Sequence, residues 1–250
     1  MTIRSGLITA FVKEVDAGQG RVKVEYRSIE AGLESPWAYV AAPLSGPQRG
    51  ALFMPEPGDE VLVAFADGDF EFPYVIGFLW NGDQTSPETT RDNRVIVTPG
   101  GHQLRFEDKT DDTRVILKSN GGHTLTLEDR RSAPRAELET HAGRKLLLDD
   151  TPGAGKVQIT SDQHRITMDD APGGARVQID AGTGAGVTIV MTGSPPTISI
   201  TTTGGVLSLN ARATQITTEV LKVNAALSVF SGTVQASTVV AGLVSSPIYV

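Results

Sequence analysis

Four pairs of adjacent acidic residues recur in the repetitive part of the chain and could in principle do acid–base chemistry. They are Glu107-Asp108, Glu128-Asp129, Asp149-Asp150 and Asp169-Asp170, at intervals of 21, 21 and 20 residues. A hydrolase needs two carboxylates whose environments give them different pKa values. Because these pairs are copies at one position of a repeat, we predict similar surroundings and interpret them as solvated turn residues. Calcium binding is the alternative, although the glycine-rich nonapeptide of calcium-binding β-rolls is absent.

The histidines are the second candidate for chemistry. His102, His123 and His164 keep the register of the repeat, and Arg144 occupies the equivalent position in the unit between the last two. In a symmetric trimer, a position that faces the axis would bring three imidazoles together and could bind a metal ion. The arginine at the equivalent position favours an outward orientation. We therefore predict surface histidines, no metal and no cofactor, and keep these three histidines as the metal-ligand alternative.

Other catalytic and binding signatures are missing from the sequence. It contains no cysteine and no GxSxG nucleophile motif. The glycine-rich residues 182–186 follow a strand-like stretch and do not open a helix, as a phosphate-binding loop would. The net charge of −7 argues against nucleic acid as a partner. The sequence thus predicts a protein that is neither an enzyme nor a nucleic-acid binder.

The repeat predicts an array of β-strands. Each unit of 20 to 21 residues contains two short stretches of alternating apolar and polar residues, separated by turn residues. Valine, isoleucine, leucine and threonine dominate these stretches, as is typical of strands. The apolar residues predicted to form the core of this stalk are Leu104, Phe106, Val115, Leu117, Leu125, Leu127, Leu146, Leu148, Val157, Ile159, Ile166, Met168, Val177, Ile179, Ile198 and Ile200.

The first 82 residues differ in composition and predict a separate domain. Both tryptophans and most phenylalanines lie there, and about five strands alternate with turns without a helix signal. This arrangement is typical of a small Greek-key barrel of the OB type. The residues predicted to form its core are Val22, Val24, Phe53, Val61, Val63, Phe65, Val75 and Trp80.

The remaining boundaries follow from composition. Residues 83–94 are polar and rich in turn formers, so we interpret them as a linker between the OB domain (residues 1–82) and the stalk (residues 95–250). Residues 183–250 carry very few charges and form a predicted tip region that ends in Pro247, Ile248, Tyr249 and Val250. We expect no secretory signal peptide, because no apolar stretch follows the first residues.

A stack of short strands in one chain leaves open edges and an apolar face that needs cover. This sequence offers no helix to cover that face. Three chains wound about one axis would bury it, and closed rotational symmetry would leave no edge for further association. The sequence therefore predicts an all-β protein in which an OB barrel precedes a repetitive, intertwined trimeric β-helix or β-prism.

Three segments resemble a known family. FMPEPGDEVLVAF (residues 53–65) and GDFEFPYVIGFLWNG (residues 68–82) resemble the OB domain of contractile-tail spikes, which include phage baseplate assembly protein V and VgrG proteins. GGHQLRFEDKTDDTRVILKS (residues 100–119) resembles the β-stalk that follows this domain. The resemblance implies a structural central spike that docks on a hub protein by its OB domain and pierces the target envelope with its stalk.

The resemblance also implies partners and a location. We expect a homotrimer in the baseplate of a virion or phage-tail-like particle, made in the bacterial cytoplasm. A PAAR-like cap is expected at the C-terminal end, and the target membrane is a transient partner. The family's His-x-His iron motif is missing here. The alternative function is a trimeric β-helical depolymerase or adhesin that acts on cell-surface polysaccharide.

Overall fold

A computed structural model describes residues 6–171, 175–182, 187–193, 196–202, 206–208 and 214–229. Across these residues the secondary structure consists of 18 strands and one three-residue 3-10 turn, Ala66–Gly68. The chain divides into two compact units, Met1–Thr203 and Gly204–Val250. The prediction of an all-β protein is confirmed.

The first part of the chain forms a closed five-stranded barrel. The first seven strands of the chain are β1 (Ile8–Asp16), β2 (Arg21–Glu25), β3 (Ala38–Val40), β4 (Ser45–Gly46), β5 (Arg49–Gly50), β6 (Glu60–Phe65) and β7 (Pro73–Leu79). The barrel has the order β1-β2-β3-β7-β6, while β4 and β5 pair only with each other. The pairing of β3 with β7 is parallel and the other barrel pairings are antiparallel. The predicted OB architecture is therefore present.

Alternate residues of the barrel strands fill its interior. The buried core consists of Ala10, Val12, Val22, Val24, Tyr26, Ala38, Val61, Val63 and Val75. Phe65 packs against this core, and its ring centroid lies 6.0 Å from that of Tyr26. Burial raises the pKa of the Tyr26 phenol to about 12. Five of the eight predicted core residues are thus fully buried, and a sixth lies against them.

The prediction is wrong for Phe53 and Trp80, whose side chains are 55% and 69% exposed. Phe53 lies in the segment between β5 and β6, outside the strands of the barrel. Trp80 follows β7 with the same parity as Ile76 and Phe78, which point outward in the alternation of that strand. Aromatic residues in this domain are therefore divided between the barrel interior and its surface.

Eleven further strands form one long antiparallel sheet in which each strand pairs with the strands before and after it. They are β8 (Asn93–Val97), β9 (Gln103–Lys109), β10 (Asp112–Lys118), β11 (Thr124–Glu128), β12 (Arg135–Glu139), β13 (Lys145–Asp149), β14 (Lys156–Thr160), β15 (His164–Asp169), β16 (Arg176–Ala181), β17 (Val187–Gly193) and β18 (Pro196–Thr202). Each repeat of 20 to 21 residues therefore contributes two consecutive strands.

The turns along one edge of this sheet repeat as well. The backbone N–H groups of His102, His123 and Arg144 donate to hydroxyl oxygens four residues earlier, at 3.1, 3.0 and 3.1 Å. A glycine precedes each of these residues and has a φ of 80°, 84° or 78°, a left-handed conformation that favours glycine. The periodic glycine and hydroxyl residues thus close one type of hairpin turn.

The second unit is described over residues 206–208 and 214–229, and none of these residues lies in a helix or strand. The predicted tip residues Pro247, Ile248, Tyr249 and Val250 lie outside the described residues. No helix in the described part of the chain has the length and apolar character required to cross a bilayer.

The predicted linker is fixed to the sheet by the carboxylate of Glu88. One oxygen accepts hydrogen bonds from the backbone N–H groups of Thr89 and Thr90, at 2.9 and 2.7 Å. The other lies 3.1 Å from the Asn93 side-chain amide and 2.7 Å from a guanidinium nitrogen of Arg105 on β9. These contacts, above all the Thr90 N–H, lower the pKa of Glu88 to about 2.

Shortening a fully buried side chain should destabilise the barrel. We expect Val24→Ala to lower the free energy of unfolding by about 2 kcal/mol, because it removes buried methyl groups and leaves a cavity. The measurement is the urea midpoint followed by fluorescence, since Trp37 and Trp80 both lie in this part of the chain. Thr9→Ala at an exposed position of β1 is the control, with less than about 1 kcal/mol expected. Equal shifts for the two variants would contradict the assignment of the core.

Replacing Glu88 should change how stability responds to acid. A carboxylate whose folded pKa is lowered stabilises the folded state above its unfolded pKa, and this contribution disappears as pH falls from about 5 to about 2. We expect Glu88→Gln to be less stable than the unchanged chain at pH 7, and this difference to shrink toward pH 2. Thermal unfolding across that range measures it, with Glu71→Gln as an exposed control. A difference that does not depend on pH would contradict the role of this carboxylate.

Candidate functional site

The long sheet has one face covered by apolar side chains in two continuous columns. The register places apolar residues directly opposite one another on successive strands. The first column consists of Ile96, Leu104, Leu117, Leu125, Leu138, Leu146, Ile159, Ile166, Ile179, Ile189 and Ile200. The second consists of Phe106, Val115, Leu127, Ala136, Leu148, Val157, Met168, Val177, Met191 and Ile198. We call this surface the apolar face.

All the residues predicted to form the stalk core lie in these two columns. They are not a core within one chain, since Leu117, Ile159 and Ile198 are 53%, 52% and 72% exposed. Among the described residues, the strands of the sheet make their extensive contacts with their hydrogen-bonded neighbours. A single chain thus exposes much of an apolar surface that alternation has gathered on one side.

The opposite face carries a column of charges that alternate in sign from strand to strand. It is formed by Glu107, Arg114, Glu128, Arg135, Asp149, Lys156, Asp169 and Arg176, each directly opposite the next. Nitrogen–oxygen distances are 2.8 Å between Arg135 and Glu128 and 3.3 Å between Arg176 and Asp169. Opposite charges in directly opposed positions stabilise strand pairing, and like charges would destabilise it. The column therefore supports the same register as the apolar face.

This column corrects the interpretation as solvated turn residues for the first residue of each acidic pair, whereas the second residue of each pair is exposed, as predicted. The first member of each pair belongs to a strand and faces a basic residue seven positions later. Some also bind turn atoms: the Asp149 carboxylate accepts a hydrogen bond from the Thr151 backbone N–H at 3.0 Å. The Thr151 contacts lower the pKa of Asp149. The first residue of each pair thus acts in strand pairing, and Asp149 also closes a turn.

Glu128 is the most buried member of the column. Its side chain is 2% exposed and lies 2.7 Å from Arg130, 2.8 Å from Arg135 and 3.5 Å from Arg114. Asp112 lies 2.9 Å from Arg130, whose hydrogen bond lowers the pKa of Asp112. Both carboxylates contact the guanidinium groups of Arg114 and Arg130, so the pair is neutralised by two cations and the arrangement favours ion pairing over acid–base catalysis.

The histidines lie exposed at turns along one edge of the sheet. The Nδ1 atom of His102 accepts a hydrogen bond from the Asn120 backbone N–H at 3.2 Å, and that of His123 accepts one from His141 at the same distance. His164 is also exposed and lies beside Ser161. Among the described residues, no three histidine, aspartate or glutamate side chains are grouped so that they could bind a metal ion. The structure brings the imidazoles to turns rather than to a common site.

A second apolar surface lies on the outside of the barrel. The outward side chains of β7 and its extension, Tyr74, Ile76, Phe78 and Trp80, are 40% to 69% exposed. Three of them, Ile76, Phe78 and Trp80, line an open groove of about 1580 Å³ together with residues 39–46, residues 48–54 and residues 95–97. We call it the barrel groove. The sequence analysis did not predict this groove, because the sequence does not distinguish aromatic residues that point outward from those that point inward. The signal that could have indicated it is that both faces of β7 are apolar, whereas a strand with one solvated face alternates apolar and polar residues.

Comparison with known proteins agrees with this architecture. Residues 4–80 match the family described as the type VI secretion system/phage-baseplate injector OB domain. The chain is 31% identical over 110 residues to the type VI secretion system spike protein VgrG3 of Vibrio cholerae, covering 39% of this chain and 11% of that protein. It is 25% identical over 108 residues to the spike protein of Escherichia phage P2, covering 43% of this chain and 49% of the phage protein.

A further relative is the spike protein VgrG5 of Pseudomonas aeruginosa, which is 32% identical over 111 residues. The alignment covers 39% of this chain and 14% of that protein, so the chain spans a small part of the VgrG relatives and about half of the phage spike. Residues 4–80, which the family model matches, contain all five strands of the closed barrel. Residues 4–80 therefore match the injector OB-domain family, and the chain is similar to VgrG and phage spike proteins.

Proposed function

We propose that this protein is the structural central spike of a contractile tail baseplate or injection system, and that it has no enzymatic activity. The observation that carries the proposal is the uncovered apolar face, which follows directly after an injector OB domain. In this proposal three copies cover one another's apolar faces. The sheet then becomes a stalk that can transmit axial force.

The amount of exposed apolar surface supports a homotrimer. About twenty half-exposed aliphatic and aromatic side chains amount to on the order of 1,500 Å² per chain, well above the few hundred Å² that monomers tolerate. That area is comparable to the surface buried by obligate oligomers. Three-fold closure also limits growth, because every copy covers one neighbour and is covered by the other.

In this arrangement each segment of the chain has its own role. Residues 1–82 form the OB domain that docks on a hub protein, and residues 83–94 form the linker held by Glu88. Residues 95–250 form the stalk, and residues 183–250 its weakly charged end, which points toward the target membrane. Few charges lower the cost of passing an apolar layer. A PAAR-like cap would complete this end.

The location proposed for the protein is the baseplate of a virion or phage-tail-like particle, after synthesis in the bacterial cytoplasm. The depolymerase alternative gains no support from the described residues. Carboxylates of the sheet such as Glu128 are neutralised by arginines, and the exposed aromatic residues lie mainly on the barrel, away from these carboxylates.

A charge on the apolar face should prevent assembly. Leu146 and Leu147 are adjacent on β13, but only Leu146 belongs to the apolar face. We expect Leu146→Asp to reduce the trimer to less than about a tenth of the protein at micromolar concentration, because unpaired buried carboxylates cost several kcal/mol each. Sedimentation velocity measures the distribution of species.

The matched control is Leu147→Asp, which places the same charge on the opposite face. It should leave most of the protein trimeric. Equal loss of assembly in both variants would show that the substitution damages the strand itself. Retention of the trimer by Leu146→Asp would exclude the apolar face as the shared interior.

The position of the protein in a particle tests the function directly. In sheathed contractile particles that carry an epitope tag on this chain, immunogold labelling should mark one end only, at the baseplate. Quantitative mass spectrometry should give three copies per particle. Labelling along the sheath, or release of sugars from host surface polysaccharide by the purified chain, would contradict a purely structural spike.

A further inference from the structure

The turn between β10 and β11 presents an asparagine that is followed directly by a glycine. Residues 119–123 form this turn, and both Asn120 and Gly121 are exposed. An asparagine side-chain amide can be lost when the backbone nitrogen of the next residue attacks the amide carbon. A glycine at that next position allows the attack, because it has no Cβ to hinder the approach. The two reacting groups are therefore adjacent on the surface of the sheet edge.

Neither reacting group is held by a hydrogen bond. Among the described residues, the side-chain amide of Asn120 and the backbone N–H of Gly121 have no hydrogen-bond partner. The backbone N–H of Asn120 donates to Nδ1 of His102 at 3.2 Å, and that of Gly122 donates to the Ser119 carbonyl at 3.0 Å. Hydrogen bonds of an exposed turn open locally at little cost in free energy. The amide is thus free to turn toward the nitrogen of the glycine.

The fold of the turn does not require an asparagine at this position. The equivalent turns of the repeats before and after it close with the same backbone hydrogen bond, at 2.8 Å in each. Pro99 and His141 occupy the position of Asn120 in those two turns. Loss of the amide therefore leaves the backbone contacts of the turn available, and the reactive pair is confined to one of these three equivalent turns.

The sequence contains a second asparagine–glycine pair, Asn81-Gly82, whose surroundings differ. The amide nitrogen of this asparagine donates to the Glu60 carboxylate at 2.9 Å. Its amide oxygen accepts hydrogen bonds from the backbone N–H groups of Asp83 and Gln84, at 3.0 and 2.8 Å. Rotation of this amide toward the glycine nitrogen would break contacts that the amide of Asn120 does not make. The same dipeptide is therefore fixed on the barrel and free on the sheet.

We propose that Asn120 is a site of spontaneous deamidation and that Asn81 is protected in the same chain. The Gly121 nitrogen forms a bond to the side-chain carbon of Asn120, and the bond from that carbon to the amide nitrogen breaks. Ammonia leaves with the proton that the Gly121 nitrogen gives up. Water then opens the cyclic imide at one of its two carbonyl carbons, which gives aspartate or isoaspartate. Water is the only co-reactant, so the modification needs no enzyme.

The modification changes the charge and the backbone at one edge of the sheet. It adds a negative charge beside the turn that precedes it, because the Asn120 side-chain oxygen lies 3.1 Å from the position of a Cβ on Gly101. Isoaspartate also inserts a methylene group into the backbone between β10 and β11. Both reacting groups lie in one turn of one chain, so the inference does not depend on the proposed homotrimer.

Timed incubation of the purified full-length protein in mildly alkaline buffer tests the site. Trypsin digestion and mass spectrometry then follow the amide-to-acid mass change in residues 119–130, which contain Asn120, and in residues 50–91, which contain Asn81. We expect Asn120 to react at least about ten-fold faster, a barrier difference of about 1.4 kcal/mol. The same protein unfolded in urea is the reference, in which both sites should react at similar rates. The product at Asn120 should include isoaspartate.

The matched control variant is Gly121→Ala. Gly121 does not have a positive φ, and an added Cβ would lie no closer than 3.7 Å to the His123 ring, so the turn should fold unchanged. We expect deamidation at Asn120 to slow about ten-fold in this variant. An unchanged rate, or a product that is aspartate alone, would exclude attack by the nitrogen of residue 121. Equal rates at the two asparagines of the folded protein, or no reaction at Asn120 while the unfolded chain reacts fully, would overturn the inference.

Discussion

The structure depends on the strict alternation of side chains in an antiparallel sheet whose register does not slip over eleven strands. A shift of one residue on any strand would move its apolar pair to the charged side. The apolar columns and the alternating charges fix the same register from opposite faces. Glu128 illustrates the constraint, because its buried carboxylate is paired with Arg130 and with Arg135, and the register places Arg135 directly opposite it. The register gathers the apolar residues on one face of the sheet, and within one chain that face stays largely exposed.

The barrel and the long sheet, which both belong to the first unit, differ in whether their apolar residues are covered within one chain. The barrel curls until its inward valines, such as Val24 and Val63, bury one another, so it needs no partner for its core. The long sheet runs onward strand by strand and gathers its apolar residues on one side. Its columns then form an apolar face that the strands of one chain leave largely exposed, whereas the barrel lies in the segment that matches the injector OB-domain family. A domain with its own buried core is thus joined to a sheet whose apolar residues lie largely exposed.

Much of this architecture could be predicted from residue patterns. Alternation located the barrel strands, and the repeat located the columns, because both depend only on which neighbours share a face. Burial was harder to predict: Trp80 and Phe53 are large and apolar, yet Trp80 has the outward parity of β7 and Phe53 lies outside the barrel strands. The first residues of the acidic pairs were misread because their partners, such as Arg135 for Glu128, lie on the following strand. Glu88 gave no signal, because its contacts join the linker to β9.

The central claim is that the apolar face is an interior shared by identical chains. Light scattering of the purified, unmodified protein after size-exclusion chromatography measures this directly, since it gives a mass that does not depend on shape. The account predicts a single species of three times the chain mass of 26.4 kDa, unchanged on dilution to micromolar concentration. A folded species of 26.4 kDa, with the circular dichroism of β-structure, would contradict it.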